Sequence, residues 1–367
     1  MKQLLFLTNI PAPYKTALFN ELGKYTNLTV LYERKSASNR NVQWNTLSRQ
    51  NYTEIFLNGI SVTAETAFCI KIGNYLTKTY DFIIVGGYST PTGMLAILKL
   101  YCKKIPFLIS ADGGFIKNDT PFKKAVKTFF ISKASAWFSS GDTTTGYLMH
   151  YGAKKKHIYN YPFTSVMEKD ITAKADPVRQ NELRKKLGIN EPQMVLSVGS
   201  YIYRKGYDVL IKAMKQLPKD IGVYIVGGKP TEEYQTLKNT YQLKNLHFID
   251  FKKKDELAEY YQAADLFVLP TREDIWGLVI NEAMAFGLPV ITTNRCIAGL
   301  ELIENKKNGF IIENEHANEL AEKIMEILTC PELCKEMSQN NIQQIQNYTI
   351  EKMAARYLEV LDQLSSQ

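Results

Sequence analysis

The chain has 367 residues, of which 45% are hydrophobic and 22% charged, with a net charge of +8. This length suits two domains better than one, and nothing in the composition indicates disorder or low complexity. The five cysteines are scattered without His neighbours at metal-ligand spacing and no apolar stretch could span a bilayer, so we expect a cytoplasmic protein with reduced cysteines and no signal peptide.

Apolar runs and amphipathic segments alternate along residues 1–165. Strands are predicted at 2–8, 28–32, 54–57, 81–85, 106–110, 135–140 and 157–161, and helices at 16–25, 92–101, 121–133 and 143–151. This alternation predicts a parallel, doubly wound α/β domain. The loop NIPAPY (9–14) after the first strand lacks the G-x-G-x-x-G of a dinucleotide fold, which argues against an NAD enzyme.

The positive charge is concentrated in this domain. Residues 1–165 carry 20 Lys and Arg against 8 Asp and Glu, a net +12, whereas the rest of the chain carries 25 against 29, a net −4. Such asymmetry indicates an anionic partner such as a membrane surface. The segment PFKKAVKTFFISK (121–133) is either an apolar and basic helix on that surface or an ordinary amphipathic helix whose aromatic side chains face the core.

A polar linker is predicted at 166–190, with a short helix at 178–187 that ends at Gly188. The second domain, 191–345, has strands at 194–198, 222–228, 246–251, 266–269, 289–293 and 308–311, helices at 207–217, 256–264 and 317–328, and a helix that begins near Gly277. Its first strand leads to Arg204 and Lys205 at the entrance of a helix. Two cations and helix N–H groups converge there, so we expect an anion site.

The segment 263–293, AADLFVLPTREDIWGLVINEAMAFGLPVITT, holds a strand, a polar loop, a helix and a second strand. The N–H groups near Leu278, Val279 and Ile280 suit a phosphate. Glu282 lies in the first two turns of the helix and can reach the hydroxyls of a ribose. Asp274 lies eight positions earlier and can approach the group that is bonded to the other side of the phosphate. The alternative is that these acids are solvated side chains at the rim of an ordinary βαβ unit and bind no ligand.

The two acids eight residues apart, the NEAMA helix and the Gly-Leu-Pro-Val strand resemble the signature of the GT4-type retaining glycosyltransferases, glycosyl transferase group 1. The resemblance implies the GT-B fold, with two Rossmann-like domains facing each other across a cleft and a terminal helix, 346–367, that crosses back to the first domain. It also implies transfer of a sugar from a nucleotide-diphosphate sugar to a glycan or lipid-linked acceptor with retained configuration, with a UDP-sugar favoured and no other cofactor.

The resemblance assigns roles in the second domain. Glu282 would bind the ribose, and Asp274, where the family usually has Glu, would contact the donor sugar. The segment GSYIYRKG (199–206) resembles the VGRxxxxKG element, in which Lys205 and a second cation hold the diphosphate. Ser200 stands where the family often has Arg, so the second cation is either missing or supplied by Arg204. The residues assigned to donor binding are Gly199, Arg204, Gly227, Gly277, Leu278, Val279 and Glu282.

In the first domain, Asp112 stands where the family has a polar residue that faces the donor sugar, although a turn aspartate before two glycines would look the same. The NIPAPY loop would face the cleft near the sugar, or is simply a rigid turn, and 299–303 resembles a loop over the donor. No Asp-x-Asp lies near a donor loop, so no obligatory metal is expected. The alternatives are a nucleotide-sugar epimerase on this fold and an inactive GT-B scaffold or binding protein, which Ser200 and Asp274 would favour.

Overall fold

The computed structural model describes residues 1–36 and 50–366, which fall into two compact units. The first comprises Met1–Ser165 with Thr349–Gln367, and the second comprises Val166–Tyr348. The segment predicted as a linker, 166–190, is thus part of the second unit, because its helix packs within that unit.

The strands of the first unit are β1 (Lys2–Thr8), β2 (Thr26–Tyr32), β3 (Thr53–Phe56), β4 (Ile60–Ser61), β5 (Ala67–Phe68), β6 (Phe82–Val85), β7 (Leu108–Ala111), β8 (Ala136–Ser139) and β9 (Ile158–Asn160). Its helices before the second unit are α1 (Pro13–Gly23), α2 (Pro91–Cys102), α3 (Pro121–Ser132) and α4 (Asp142–His150). Seven strands form a parallel sheet in the order β3-β2-β1-β6-β7-β8-β9, and β4 pairs with β5 in a separate antiparallel ribbon. Apolar runs such as LLFL in β1 are buried, as expected of a parallel sheet covered on both faces.

The strands of the second unit are β10 (Gln193–Val198), β11 (Ile221–Val226), β12 (Leu246–Ile249), β13 (Leu266–Leu269), β14 (Val290–Thr293) and β15 (Gly309–Ile312). Its helices are α5 (Pro177–Leu187), α6 (Tyr207–Ala213), α7 (Glu232–Thr240), α8 (Lys254–Ala263), α9 (Leu278–Ala285), α10 (Ile297–Leu302), α11 (Ala317–Leu328) and α12 (Pro331–Ile345). The sheet is parallel, in the order β12-β11-β10-β13-β14-β15. The last helix, α13 (Ile350–Ser365), belongs to the first unit, where its Tyr357 stacks on Phe138 with ring centroids 4.1 Å apart.

The predicted α/β architecture is confirmed, with local differences. Helix α1 begins at Pro13, earlier than predicted, because proline suits the first turn of a helix. The segment expected as a loop at 299–303 lies largely in α10. Helix α12 was not predicted, because its buried face mixes Met337 and Ile345 with Ser338 and Asn341 and so breaks the apolar periodicity.

Candidate functional site

The two predicted cations of the second unit lie in the loop between β10 and α6. Arg204 and Lys205 belong to a 3₁₀ turn that ends at Gly206, whose φ is +68°. A Cβ atom on Gly206 would lie 2.1 Å from the backbone oxygen of Pro270, so only glycine fits there. The close approach brings the cation loop against the loop between β13 and α9.

Asp274 pairs with both cations. Its Oδ2 lies 2.6 Å from Lys205 Nζ, and its Oδ1 lies 3.1 Å from Arg204 Nη1. Burial alone would raise the pKa of the Asp274 carboxyl, but the charges of Lys205 and Arg204 and their hydrogen bonds outweigh burial, and the pKa lies below its usual 3.8. The carboxylate is therefore ionised and neutralises part of the positive charge of the site.

The backbone around Asp274 explains why this acid, rather than its neighbour, meets the cations. The Asp274 N–H donates to the oxygen of Arg295 at 2.8 Å. The carboxylate of Glu273 lies 3.2 Å from the guanidinium of Arg295. The backbone oxygen of Glu273 accepts a 2.9 Å hydrogen bond from Nη1 of Arg204. The shorter acid, Asp274, therefore occupies the position beside the cations.

Two of the predicted donor-binding glycines contact each other at the carboxyl ends of β10 and β11. A Cβ on Gly227 would lie 1.9 Å from the backbone oxygen of Gly199. That oxygen also accepts a 3.0 Å hydrogen bond from the hydroxyl of Tyr207. Gly199 has a φ of +148°, so both its conformation and its packing favour glycine. The backbone can thus be approached closely at this edge of the sheet.

The N-terminus of α9 follows the Asp274 loop. Its cap residue, Gly277, has a φ of +104°, and no described side chain caps the helix. Leu278 and Val279, in the first turn, are partly exposed. A helix start of this kind presents N–H groups and the positive end of the helix dipole. The site therefore offers a second source of positive potential beside the side-chain cations.

Glu282 lies one turn further along α9 and is partly exposed. Its Oε2 accepts a 3.1 Å hydrogen bond from the hydroxyl of Tyr261 on α8. Burial first, and then the charge of Glu282, raise the pKa of Tyr261 well above its usual value, so the phenol keeps its proton and donates. Sequence reasoning missed Tyr261, because α8 has the pattern of an ordinary amphipathic helix.

Asp112 follows β7 in the first unit and is held by several partners. Its two carboxylate oxygens accept hydrogen bonds from the hydroxyls of Tyr14, at 2.9 Å, and Tyr161, at 3.1 Å. The Nζ of Lys15 lies 3.4 Å away and donates to the hydroxyl of Thr8 at 2.8 Å. The NIPAPY segment and Asp112 are thus brought together at the carboxyl ends of β1 and β7. Lys15 and Tyr161 were not predicted from the sequence.

Within residues 1–36 and 50–366, no group of three or more His, Cys, Asp or Glu side chains is arranged to hold a metal ion. None of the helices in this part of the chain has both the length and the apolar character needed to cross a membrane.

Comparison with known proteins identifies the family. Residues 179–344 match the model of the glycosyl transferases group 1. An uncharacterized glycosyltransferase of Methanocaldococcus jannaschii is 30% identical over 303 residues, which cover 80% of this chain and 79% of the relative. The N,N'-diacetylbacillosaminyl-diphospho-undecaprenol alpha-1,3-N-acetylgalactosaminyltransferase of Campylobacter jejuni is 22% identical over 77% of each chain. Several other relatives match over about half of their own length or less.

Solved structures agree in fold. HepE of Anabaena, crystallised in complex with UDP, superposes with a TM-score of 0.78 over 100% of both chains at 18% identity. At this identity the likeness shows the fold alone, with two Rossmann-like domains. The chain therefore belongs to the glycosyl transferases group 1 and has the GT-B fold.

Proposed function

We propose that this glycosyltransferase moves a hexose from a nucleotide-diphosphate sugar to a glycan or lipid-linked acceptor, with retained configuration and without an obligatory metal, in the synthesis of a cell-surface polysaccharide such as capsule, O-antigen or exopolysaccharide. The observation that carries the proposal is the pair of cations, Arg204 and Lys205, held by Asp274 on the loop that leads into α9. A diphosphate is the anion that such a pair beside a helix N-terminus would accept.

The proposed reaction is a front-side displacement that uses no enzyme nucleophile. The acceptor hydroxyl attacks the anomeric carbon from the face that the diphosphate leaves, while the bond from that carbon to the phosphate oxygen breaks and the hydroxyl proton passes to that oxygen. Lys205, Arg204 and the N–H groups of Leu278 and Val279 would stabilise the charge that develops on the leaving group. The donor diphosphate would replace Asp274 as the partner of the cations, which leaves that carboxylate able to contact the sugar.

The nucleoside would be held by the neighbouring residues of the same unit. Glu282 is proposed to accept hydrogen bonds from the ribose hydroxyls, and the close backbone at Gly199 and Gly227 would let the nucleotide approach the sheet edge. A UDP-sugar is favoured, and the UDP bound to HepE, a protein of the same fold, supports this choice. No other cofactor is proposed.

The proposal is tested by incubating the protein with UDP-sugars, with and without polyprenyl-diphosphate-linked glycans, and by following nucleotide release and the product by NMR. Acceptor-dependent release and a product with the donor's anomeric configuration are expected. An inverted product would contradict the front-side mechanism. Nucleotide binding without release from any donor would favour a binding protein, and a changed sugar nucleotide without acceptor would favour an epimerase.

Asp112 is proposed to contact a hydroxyl of the sugar or the acceptor. We expect Asp112→Asn to lower kcat/KM by about 10- to 150-fold, the equivalent of a lost hydrogen bond to a charged group. Affinity for the nucleoside diphosphate should be unchanged, because the proposed nucleotide-binding residues lie in the other unit. Steady-state kinetics and calorimetric titration measure the two quantities. Asp142→Asn, in the same unit but exposed, is the control, and an Asp112→Asn variant with full kcat/KM would contradict the assignment.

An anionic membrane surface, at the inner face of the cytoplasmic membrane, is proposed as a partner of the first unit. Of the residues of α3 only Ile131 is buried, and Phe122 is 81% exposed, so the aromatic side chains do not all face the core. The Nζ of Lys133 lies 4.7 Å from the ring centre of Tyr101 and 5.0 Å from that of Phe129. A helix with exposed lysines and aromatic rings is suited to the headgroup region of acidic lipids.

Vesicle binding provides the check. The wild-type protein should sediment with vesicles that contain acidic lipid at low salt and much less at high salt. Lys124→Glu on α3 should weaken this binding by about 30-fold, because each basic residue near such a surface contributes about 1 kcal/mol and the change reverses one charge. Lys244→Glu, on the second unit, makes the same change in net charge and should bind as the wild type does. Equal weakening by both variants, or no sedimentation of the wild type, would contradict the proposal.

A further inference from the structure

Arg272 lies in the loop between β13 and α9, and its guanidinium is almost fully used within the protein. Nη1 donates to Asp208 Oδ1 and to the backbone oxygen of Tyr203, both at 2.8 Å. Nη2 donates to Asp208 Oδ2 at 2.8 Å, and Nε donates to Glu315 Oε1 at 2.6 Å. An arginine has five N–H donors, so these four bonds leave little capacity for a ligand. Two carboxylates also offset its charge.

The contacts of Arg272 lie on both sides of the cation pair in sequence. Before the pair, the guanidinium stacks on the ring of Tyr203, with Cζ 4.0 Å from the ring centre. After the pair, it holds Asp208 in the first turn of α6. Burial alone would raise the pKa of Asp208, but hydrogen bonds from Arg272 and Lys212 outweigh it, and the pKa is lowered. The carboxylate is therefore ionised and keeps a planar, two-bond pairing with the guanidinium.

Backbone contacts join the same two loops at the first cation. The N–H of Arg272 donates to the backbone oxygen of Arg204 at 2.8 Å, and the hydroxyl of Thr271 donates to the same oxygen at 2.8 Å. The loop that carries Asp274 thus fixes the loop that carries the cations through the carbonyl of Arg204, through Tyr203 and through Asp208.

We infer that Arg272 is a positioning residue, which holds Arg204 and Lys205 in the orientation that meets the diphosphate of the donor. The inference rests on the proposed function of this site. Flexible cations would have to be ordered when the donor binds, and charges that are already oriented stabilise a leaving group without reorganisation. Arg272 acts through the cation loop and does not itself contact the substrate.

Substitution of Arg272 tests the inference. Arg272→Met should lower both the affinity for the nucleoside diphosphate and kcat/KM by about tenfold. Arg272→Lys should not restore them, because an ammonium group cannot make the planar pairing with Asp208 or the same stacking on Tyr203. Glu315→Gln alters only the half-exposed partner of Nε and should stay within about twofold of the wild type. Tyr203→Ala removes only the stacking and should give a smaller loss in the same direction, which keeps the test open if Arg272→Met does not fold.

Coupling to Lys205 separates positioning from general destabilisation. Arg272→Met should weaken nucleotide binding far less in a Lys205→Ala background than in the wild type, because the loop then has one cation fewer to orient. An equal loss in both backgrounds, or a loss restored by Arg272→Lys, would overturn the inference. If the wild type binds a nucleoside diphosphate and Arg272→Met binds it equally well, only the positioning role fails. If the wild type binds none, the proposed function fails as well.

Discussion

Replacing Lys205 by Met is expected to lower kcat/KM by about 10²- to 10³-fold, the size of effect seen when a fixed donor to a developing oxyanion is removed. Lys205 Nζ lies 2.6 Å from Asp274 Oδ2 with both side chains about a tenth exposed, so the ammonium group is fixed before any donor arrives. Without it, only Arg204 and the start of α9 would face the leaving phosphate. Steady-state kinetics with the donor measure the loss, and Lys219→Ala, an exposed lysine of the same unit, should keep full activity.

Asp274 provides a control for stability. Lys205→Met leaves the buried carboxylate with Arg204 alone, which should lower the free energy of unfolding by about 1–3 kcal/mol. Lys205→Met with Asp274→Asn removes this buried charge, which Arg204 alone compensates only in part, and should recover stability without activity. A double variant with restored activity would show that Lys205 serves folding and not catalysis.

The pH dependence of stability follows from the same pair. Because the folded pKa of Asp274 lies below 3.8, its ionised form stabilises the wild type fully above about pH 4, and this contribution is lost as the pH falls through the folded pKa. The double variant should therefore lose less stability on acidification than the wild type does.

Glu282→Ala is expected to weaken binding of the nucleoside diphosphate by about 10- to 150-fold, which corresponds to the 1.5–3 kcal/mol of a hydrogen bond to a charged group. The reason is the proposed hydrogen bonding between the Glu282 carboxylate and the ribose hydroxyls. The hydroxyl of Tyr261 donates to the same carboxylate and orients it. Calorimetric titration of the wild type and the variant gives the two affinities.

Deoxynucleotides test whether this loss of affinity comes from the contact with the ribose hydroxyls. The wild type should bind the 2′-deoxy or the 3′-deoxy diphosphate more weakly than the ribonucleotide, whereas Glu282→Ala should bind them about equally. Tyr261→Phe keeps the carboxylate and should cause a smaller loss. If Glu282→Ala still binds the ribonucleotide more tightly than the deoxynucleotides by the same factor as the wild type, another residue recognises the ribose hydroxyls.

The sheet strands could be predicted because parallel strands buried on both faces are short apolar runs, as in β1 and β13. Residues of the candidate site that are close in sequence, such as Arg204 with Lys205 and Gly277 with Glu282, could be predicted from their spacing. The short ribbon of β4 and β5 was not predicted, because strands of two residues each are too short to show an alternating apolar pattern.

Partners that are distant in sequence could not be predicted. Arg272 meets Asp208 across 64 positions, and Tyr14 meets Asp112 across 98 positions. No local pattern encodes such pairs, since they arise only when parallel strands bring their carboxyl ends to one edge of a sheet. This is also why Lys205 and Asp274, predicted for different parts of the donor, are found in contact with each other.

The central claim is that the second unit binds a nucleotide-diphosphate donor through Lys205, Arg204 and Glu282. Its most direct test is the calorimetric titration of UDP, GDP and ADP into the wild-type protein and into Glu282→Ala. We predict that one of the three, with UDP favoured, binds the wild type with one site per chain and binds the variant about 10- to 150-fold more weakly. Binding of none of them, or equal binding by both proteins, would contradict the account.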